Sequence, residues 1–147
     1  MNVSVVGSGY VGTTLAACLA EAGHEVTAID IDSEVVSALN AGRAAIHEPG
    51  LDELLSRHAG DRLRATTSYD SVPDSDVTFL AIGTPSNADG SIDLGALSAA
   101  AETTGEALAG VGPDERHLVV IKSTVTPPGV ATIREAVHRG AGAAADR

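Results

Sequence analysis

Aromatic side chains, lysine and cysteine are scarce in this sequence. Aromatic residues make up 2% of its 147 residues, Lys122 is the single lysine, and Cys18 is the single cysteine. One cysteine excludes an internal disulfide and a zinc site built on several cysteines. The core must therefore consist of Val, Leu, Ile and Ala, and a hydrophobic content of 44% excludes a disordered chain. We predict that Cys18 is a small buried core residue.

Long apolar runs and metal-binding patterns are also absent from the sequence. No run approaches the roughly 20 apolar residues that a membrane span requires. The start lacks the charged and apolar regions of a signal peptide. The five histidines form no H-x-x-x-H pair, so we predict no metal site. These features predict a cytoplasmic protein without a membrane partner.

Basic residues are few in this sequence. The chain has 20 acidic residues against 9 basic ones, which gives a formal net charge of −11. Such a surface repels nucleic acid and anionic lipid, so we predict neither as a partner. An anionic ligand would have to be received locally, by main-chain N–H groups.

Strand-like and helix-like segments alternate along the chain, which predicts an α/β fold with a doubly wound, mainly parallel sheet and helices on both faces. Buried strands are predicted at residues 2–6, 26–29, 76–82 and 117–124, with a shorter strand at 62–67. The first helix has apolar positions at Val11, Leu15, Cys18, Leu19 and Ala22. We predict one domain over residues 1–140. Residues 141–147 show no pattern and are expected to be disordered or to begin a linker.

The glycine-rich stretch GSGYVG lies between the first predicted strand and helix, and it matches G-x-G-x-x-G. Gly7 permits the tight turn, Gly9 lets a pyrophosphate approach the main chain, and Gly12 lets helix and strand pack closely. Free N–H groups and the dipole at the helix start then attract the phosphates. The pattern predicts a Rossmann-type domain that binds a dinucleotide.

Asp30 ends the second predicted strand, 23 residues after Gly7. Its carboxylate can accept hydrogen bonds from both adenosine ribose hydroxyls, and it would repel the 2′-phosphate of NADP. No Arg or Lys occurs between Asp30 and Asn40 to receive that phosphate. The sequence therefore predicts NAD as the cofactor.

Four stretches resemble blocks of the UDP-glucose/GDP-mannose dehydrogenase family. They follow the family's order and reach to about Arg139, and the last three separate this family from other nucleotide-binding dehydrogenases. The stretches are GSGYVG, LNAGRAAIHEPGLDELL, FLAIGTPSNADGSIDL and VVIKSTVTPPG.

The resemblance implies that two NAD⁺ oxidise the C6 alcohol of a UDP-sugar to a carboxylate. The UDP-sugar that we expect first is UDP-glucose. In this family the reaction passes through a cysteine-linked thiohemiacetal, and the catalytic cysteine and lysine lie in a later part of the protein. The resemblance therefore implies a cofactor-binding half that is inactive alone. It implies a homodimer for the full-length protein and leaves the state of this chain open.

The resemblance also assigns site residues. Asp30 matches the ribose acid, Thr84 matches a threonine that contacts the cofactor, and Thr124 matches a threonine near the nicotinamide. Thr124 would contact the cofactor and also take a catalytic role by positioning a water, since a hydroxyl both donates and accepts. The pyrophosphate loop matches Gly7, Ser8, Gly9, Tyr10, Val11 and Gly12.

Two residues depart from the family pattern. Val35 stands where the family often has a basic residue near the adenosine, so the affinity for NAD should be lowered. His47 replaces a tyrosine that precedes the EPGL block.

Two other functions remain open from the sequence. One is the cofactor half of a different NAD-dependent dehydrogenase, against which the stretches KSTVTPPG and EPGLDELL argue. The other is a free-standing, NAD-binding regulatory module without catalytic activity.

The excess of acidic residues predicts adaptation to high salt, because counterions screen the repulsion among the carboxylates. We expect the melting temperature to rise as KCl is increased from low to molar concentration. Thermal unfolding followed by circular dichroism measures this. A melting temperature that stays flat or falls over the series would contradict the hypothesis.

Overall fold

The computed structural model describes residues 1–112 and 115–145. Strands and helices alternate along this part of the chain. The strands are β1 Asn2–Val6, β2 Glu25–Ile29, β3 Leu63–Thr66, β4 Val77–Leu80 and β5 Leu118–Ile121. The helices are α1 Tyr10–Glu21, α2 Ser33–Asn40, α3 Leu51–His58, α4 Gly95–Leu108 and α5 Pro127–Ala141, followed by a 3₁₀ turn at Gly142–Ala144.

The strands form one parallel sheet in the order β3-β2-β1-β4-β5. This confirms the predicted α/β fold with a doubly wound sheet. Val6 is in register with Ile29 of β2 and with Leu80 of β4, so these strands end at the same edge. The strand order changes direction at β1 and β4, and ligands of open α/β sheets bind in the crevice outside the carboxyl ends at that point.

The two faces of the sheet bury separate clusters of aliphatic side chains. Val5 and Ala28 face the helices that include α1 and α3, where Ala17 and Leu55 are fully buried. Alternate strand residues face the opposite way, against α4 and α5, where Leu97 and Ile133 are fully buried. This two-sided burial explains why β1 and β4 appear in the sequence as nearly continuous apolar runs.

The predicted buried face of α1 is wrong. Its buried residues are Gly12, Thr13, Ala16, Ala17 and Ala20. Cys18 is exposed, and Val11 is 49% exposed. Small side chains face the sheet because α1 begins extremely close to β1: a Cβ on Gly12 would lie 1.7 Å from the carbonyl oxygen of Gly7. The larger apolar side chains pack at the margin of that face.

The prediction of a buried strand at 117–124 is also wrong. β5 spans Leu118–Ile121 and is an edge strand of the sheet in the described chain. Leu118 is 61% exposed, and the other three residues are half-buried. An apolar run by itself does not distinguish an edge position from a central one.

The chain end is more regular than the sequence suggests. α5 continues to Ala141, and a 3₁₀ turn follows at Gly142–Ala144. The expected tail of residues 141–147, disordered or the start of a linker, thus includes a helical turn as far as residue 144, and residues 146–147 lie outside the described residues. The helix persists because α5 packs tightly on α4: a Cβ on Gly140 would lie 2.0 Å from the carbonyl oxygen of Glu102.

Three helix boundaries have a local cause in the sequence. The side chain of Asp32 caps α2, Gly42 follows its end with a φ of 70°, and prolines occupy the first turn of α5. In the described part of the chain, no helix is both long and apolar enough to cross a membrane.

Candidate functional site

The three glycines of the loop between β1 and α1 have different surroundings. Gly7 has a φ of +94°, and a Cβ there would lie 2.7 Å from the carbonyl oxygen of Ala81. At Gly12, the carbonyl oxygen of Gly7 leaves no room for a Cβ, as described above. A Cβ on Gly9, in contrast, would meet no atom within 4 Å. Gly7 and Gly12 are therefore required by the fold, whereas the space in front of Gly9 is open to a ligand.

The N-terminus of α1 leaves main-chain donors free. Its first internal hydrogen bond runs from Thr13 N to Gly9 O, at 3.0 Å. Within the described residues, the N–H groups of Tyr10, Val11 and Gly12 have no acceptor. No side chain caps this helix, and no acidic residue lies in its first turn. Unsatisfied donors at a helix start form a binding place for an anion.

At the other α-helices, side chains accept hydrogen bonds from first-turn amides or place a negative charge beside them. Asp32 accepts from Glu34 N at 2.8 Å in α2, and Asp93 accepts from Gly95 N at 2.8 Å in α4. Thr126 accepts from Gly129 N in α5. The first turn of α3 carries Asp52 and Glu53. Among the α-helices of the described chain, α1 stands apart because no side chain bonds an amide of its first turn and no acid lies there.

Asp30 lies directly beside the glycine loop. One carboxylate oxygen accepts from Ser8 N at 2.6 Å, and the other accepts from Asp32 N at 3.0 Å. These two bonds fix the carboxylate at the end of β2. Each oxygen keeps a lone pair for a further donor, and the side chain is only partly buried. The arrangement can therefore accept two hydroxyl groups from a ligand without moving.

Tyr69 and Ser8 complete the surroundings of Asp30. Burial raises the pKa of the Tyr69 phenol, and the nearby Asp30 carboxylate raises it further. Ser8 gives its N–H to Asp30, and its buried hydroxyl has no hydrogen-bond partner in the described chain. Ser8 consequently has no free amide with which to meet a phosphate, unlike the three residues that follow Gly9.

Thr84 and Thr124, two of the predicted site residues, come together beyond the ends of β4 and β5. The Thr84 hydroxyl donates to the carbonyl oxygen of Thr124 at 3.1 Å. Ser123 joins the same strand ends, since its hydroxyl donates to Ile82 O at 2.7 Å. The segment also borders the glycine loop, because Ala81 and Ile82 are the residues that a Cβ on Gly7 would strike.

Several supporting contacts escaped prediction. Thr13 donates through its hydroxyl to Ser8 O at 2.8 Å and so holds the glycine loop onto α1. Tyr10 donates through its hydroxyl to a carboxylate oxygen of Glu48. The one sequence signal that could have indicated Thr13 is a polar residue within an apolar helix. The Tyr10–Glu48 pair leaves no signal in the sequence, because its members are 38 residues apart.

Two residues that the sequence singled out, the single lysine and His47, lie outside these contacts. Lys122 is exposed after β5 and its side chain has no partner in the described residues. His47 is likewise exposed. Residues 1–112 and 115–145 contain no group of three or more His, Cys, Asp or Glu that could hold a metal ion.

A strand, a glycine turn, an uncapped helix and a carboxylate at the end of the next strand define a dinucleotide-binding domain of the doubly wound α/β class. The free amides, the open space at Gly9 and the fixed acceptor at Asp30 fit a diphosphate joined to a ribose.

Comparison with known proteins identifies the family. Residues 1–145 match the UDP-glucose/GDP-mannose dehydrogenase family, NAD binding domain. The chain belongs to this family, and NAD is its cofactor, as predicted. The chain is 62% identical over 127 residues to UDP-glucose 6-dehydrogenase AglM of Haloferax volcanii, covering 86% of this chain and 29% of that protein.

Solved structures agree with this assignment. A UDP-glucose dehydrogenase from the hyperthermophilic archaeon Pyrobaculum islandicum superimposes with a TM-score of 0.89 at 42% identity, over 96% of this chain and 33% of that one. A ternary complex of GDP-mannose dehydrogenase from Pseudomonas aeruginosa gives 0.89 at 40% identity, over 97% of this chain and 33% of that one. The chain thus spans about a third of the length of these relatives.

Proposed function

We propose that this chain is the cofactor half of a nucleotide-sugar 6-dehydrogenase. A longer protein that contains it would oxidise the C6 alcohol of UDP-glucose to the carboxylate, and the 147-residue chain alone would bind NAD⁺ without oxidising sugar. The 62% identity to a protein named as a UDP-glucose 6-dehydrogenase supports UDP-glucose as the sugar nucleotide. Alcohol to carboxylate is a four-electron oxidation, so two NAD⁺ serve as hydride acceptors.

The observation that carries this proposal is the uncapped start of α1 beside an immobilised carboxylate. Tyr10, Val11 and Gly12 offer their N–H groups to the pyrophosphate, and Gly9 lets it approach them. The Asp30 carboxylate accepts from the two hydroxyls of the adenosine ribose. Ser8 acts indirectly in this proposal, because its N–H holds Asp30 in place.

The same geometry favours NAD over NADP. The carboxylate of Asp30 is held where a 2′-phosphate would have to lie, and like charges in that position repel. Glu34 and Val35 lie in the first turn of α2, which begins at Ser33, and no basic residue lies between Asp30 and Asn40. A 2′-phosphate would therefore face the Asp30 carboxylate, and the segment between Asp30 and Asn40 offers it no basic side chain.

Thr124 and Thr84 form the end of the site that faces the nicotinamide in this proposal. Thr84 fixes the main chain of Thr124 through its hydroxyl. The Thr124 hydroxyl itself is exposed and has no partner in the described chain, so it can orient a water. A hydroxyl performs this task without changing its charge, which suits a residue that positions a water for proton transfer.

Replacing Gly9 separates folding from cofactor binding. In Gly9→Ser the Cβ enters open space, and the new hydroxyl can cap α1, so the free energy of unfolding should hold or rise by roughly 0.5 kcal/mol. The same group occupies the place of the phosphate, so the Kd for NAD⁺ should rise at least about tenfold. Calorimetric titration and denaturant unfolding measure the two quantities.

Two variants serve as controls for this substitution. Gly9→Ala adds the Cβ without the hydroxyl, and it should weaken NAD⁺ binding without stabilising α1. Gly110→Ser also projects into open space, away from the site, and should leave the Kd unchanged. An unaltered Kd in both Gly9 variants would refute the phosphate assignment.

Replacing Asp30 tests the ribose assignment. Asp30→Ala removes a charged acceptor, so NAD⁺ binding should weaken by roughly 1–3 kcal/mol. Asp61→Ala is the matched control, because Asp61 is exposed at the opposite end of the sheet, before β3. Equal Kd values for the wild type and Asp30→Ala would reject the role of Asp30 in cofactor binding.

The sugar specificity is tested with the longer protein. We expect it to form two NADH per UDP-glucose, and little NADH with GDP-mannose, whereas the 147-residue chain forms none with either. NADH absorbance measures all of these reactions. Faster turnover of GDP-mannose would overturn the choice of substrate, and NADH formation by the short chain would overturn its predicted inactivity.

A further inference from the structure

The loop between α2 and α3, residues 41–50, reaches the glycine loop through one side-chain hydrogen bond. Glu48 accepts a hydrogen bond from the hydroxyl of Tyr10, the first residue of α1. The main-chain bonds at the two ends of this loop are local, from Arg43 N to Ala38 O and from Leu51 N to Glu48 O. Within the described residues, Tyr10–Glu48 is therefore the hydrogen bond that connects this loop to the candidate site.

Glu48 is held on a firmly anchored stretch of chain. Ile46 packs against the cluster that covers the α1 face of the sheet, and Leu51 is buried in that cluster. Anchors on both sides reduce the conformational freedom of the residue between them. The position of Glu48 is thus set by the core, and Glu48 can in turn fix the partner that it binds.

Tyr10 needs such a partner to keep one orientation. It is 54% exposed, and an exposed tyrosine samples several rotamers. It adjoins Gly9, where the space is open, and its own N–H is one of the free donors of α1. A carboxylate acceptor makes a stronger bond than a neutral one, so Glu48 selects one position for the ring beside this opening.

We propose that Glu48 is a positioning residue of the cofactor groove, which holds the Tyr10 ring as a wall beside the bound dinucleotide. This inference rests on the proposed binding of NAD⁺ at the glycine loop. Its consequence is slower escape of the cofactor, because an ordered wall restricts the groove more than a rotating side chain does.

The contact is not needed to dock α3 on α1. Glu21, at the far end of α1, already binds Arg57 at 2.7 Å and His58 at 2.5 Å. Leu51 and Leu55 of α3 are buried as well. A hydrogen bond between partly exposed side chains adds little to stability, so loss of Tyr10–Glu48 should leave the melting temperature nearly unchanged.

The test compares NAD⁺ binding by the wild type, Glu48→Ala, Glu48→Gln, Tyr10→Phe and the double variant Tyr10→Phe/Glu48→Ala. We expect Glu48→Ala and Tyr10→Phe each to raise the Kd about three- to fivefold, chiefly through faster dissociation. The double variant should be no weaker than either single one, because both remove the same bond. Glu48→Gln should keep most of the affinity, since its amide oxygen still accepts from Tyr10.

A cofactor-free measurement tests the contact itself. The hydrogen bond to Glu48 raises the pKa of the Tyr10 phenol, so Glu48→Ala should lower it in a tyrosinate absorbance titration. The titration is done in a Tyr69→Phe background, where Tyr10 is the remaining tyrosine. Glu53→Ala, in the neighbouring turn, removes a carboxylate without a hydrogen-bond partner in the described chain and should change neither readout.

The outcomes separate this inference from the proposed function. A wild type that fails to bind NAD⁺ would refute the proposed function. Normal wild-type binding together with an unchanged Kd in Glu48→Ala would overturn the positioning role alone. Additive losses in the double variant, or a Tyr10 titration that Glu48→Ala does not move, would also overturn it.

Discussion

The approach of Gly12 to the carbonyl of Gly7 is the contact on which the rest of the site depends. It lets α1 begin directly over the end of β1, so the first amides of the helix face the crevice between β1 and β4. Any side chain at residue 12 would push the helix away from the sheet. The same closeness explains why Ala16, Ala17 and Ala20 line the buried face and why larger residues are displaced from it.

An acidic protein that binds an anionic cofactor must attract the cofactor at short range although its net charge repels it at long range. The net charge of −11 repels a dinucleotide at a distance, and salt screens that repulsion over about 10 Å or less. In the proposed site, contact with the phosphates would rely instead on neutral amides and a helix dipole, which act within the first turn. Asp30 adds a further negative charge, yet in the proposed site it would face the hydroxyl groups of the ribose and not the phosphates. Acidic residues can therefore provide both the preference for NAD over NADP and the solubility of the chain.

The predictable and unpredictable parts of this molecule differ in the range of the interactions behind them. The glycine turn and the approximate strand positions follow from neighbours in sequence, and the structure agrees with them. The burial of Cys18 and of β5 was predicted wrongly, because the apolar character of a residue does not show whether another helix or strand packs over it. The contacts of Thr84 with Thr124 and of Tyr10 with Glu48 join segments about 40 residues apart, so they exist only once the sheet has formed.

The uncapped start of α1 also connects stability to function. A missing cap costs a helix about 1 kcal/mol, and four other helices of the described chain have their starts supported by side chains. Anionic oxygens of a ligand would supply the acceptors that the protein lacks at this one place. Binding to the folded state alone then stabilises it in proportion to the logarithm of ligand concentration. In the proposed site, the unfilled donors of α1 would thus be a local weakness of the fold that bound cofactor removes, and the Asp30 carboxylate is fixed beside them.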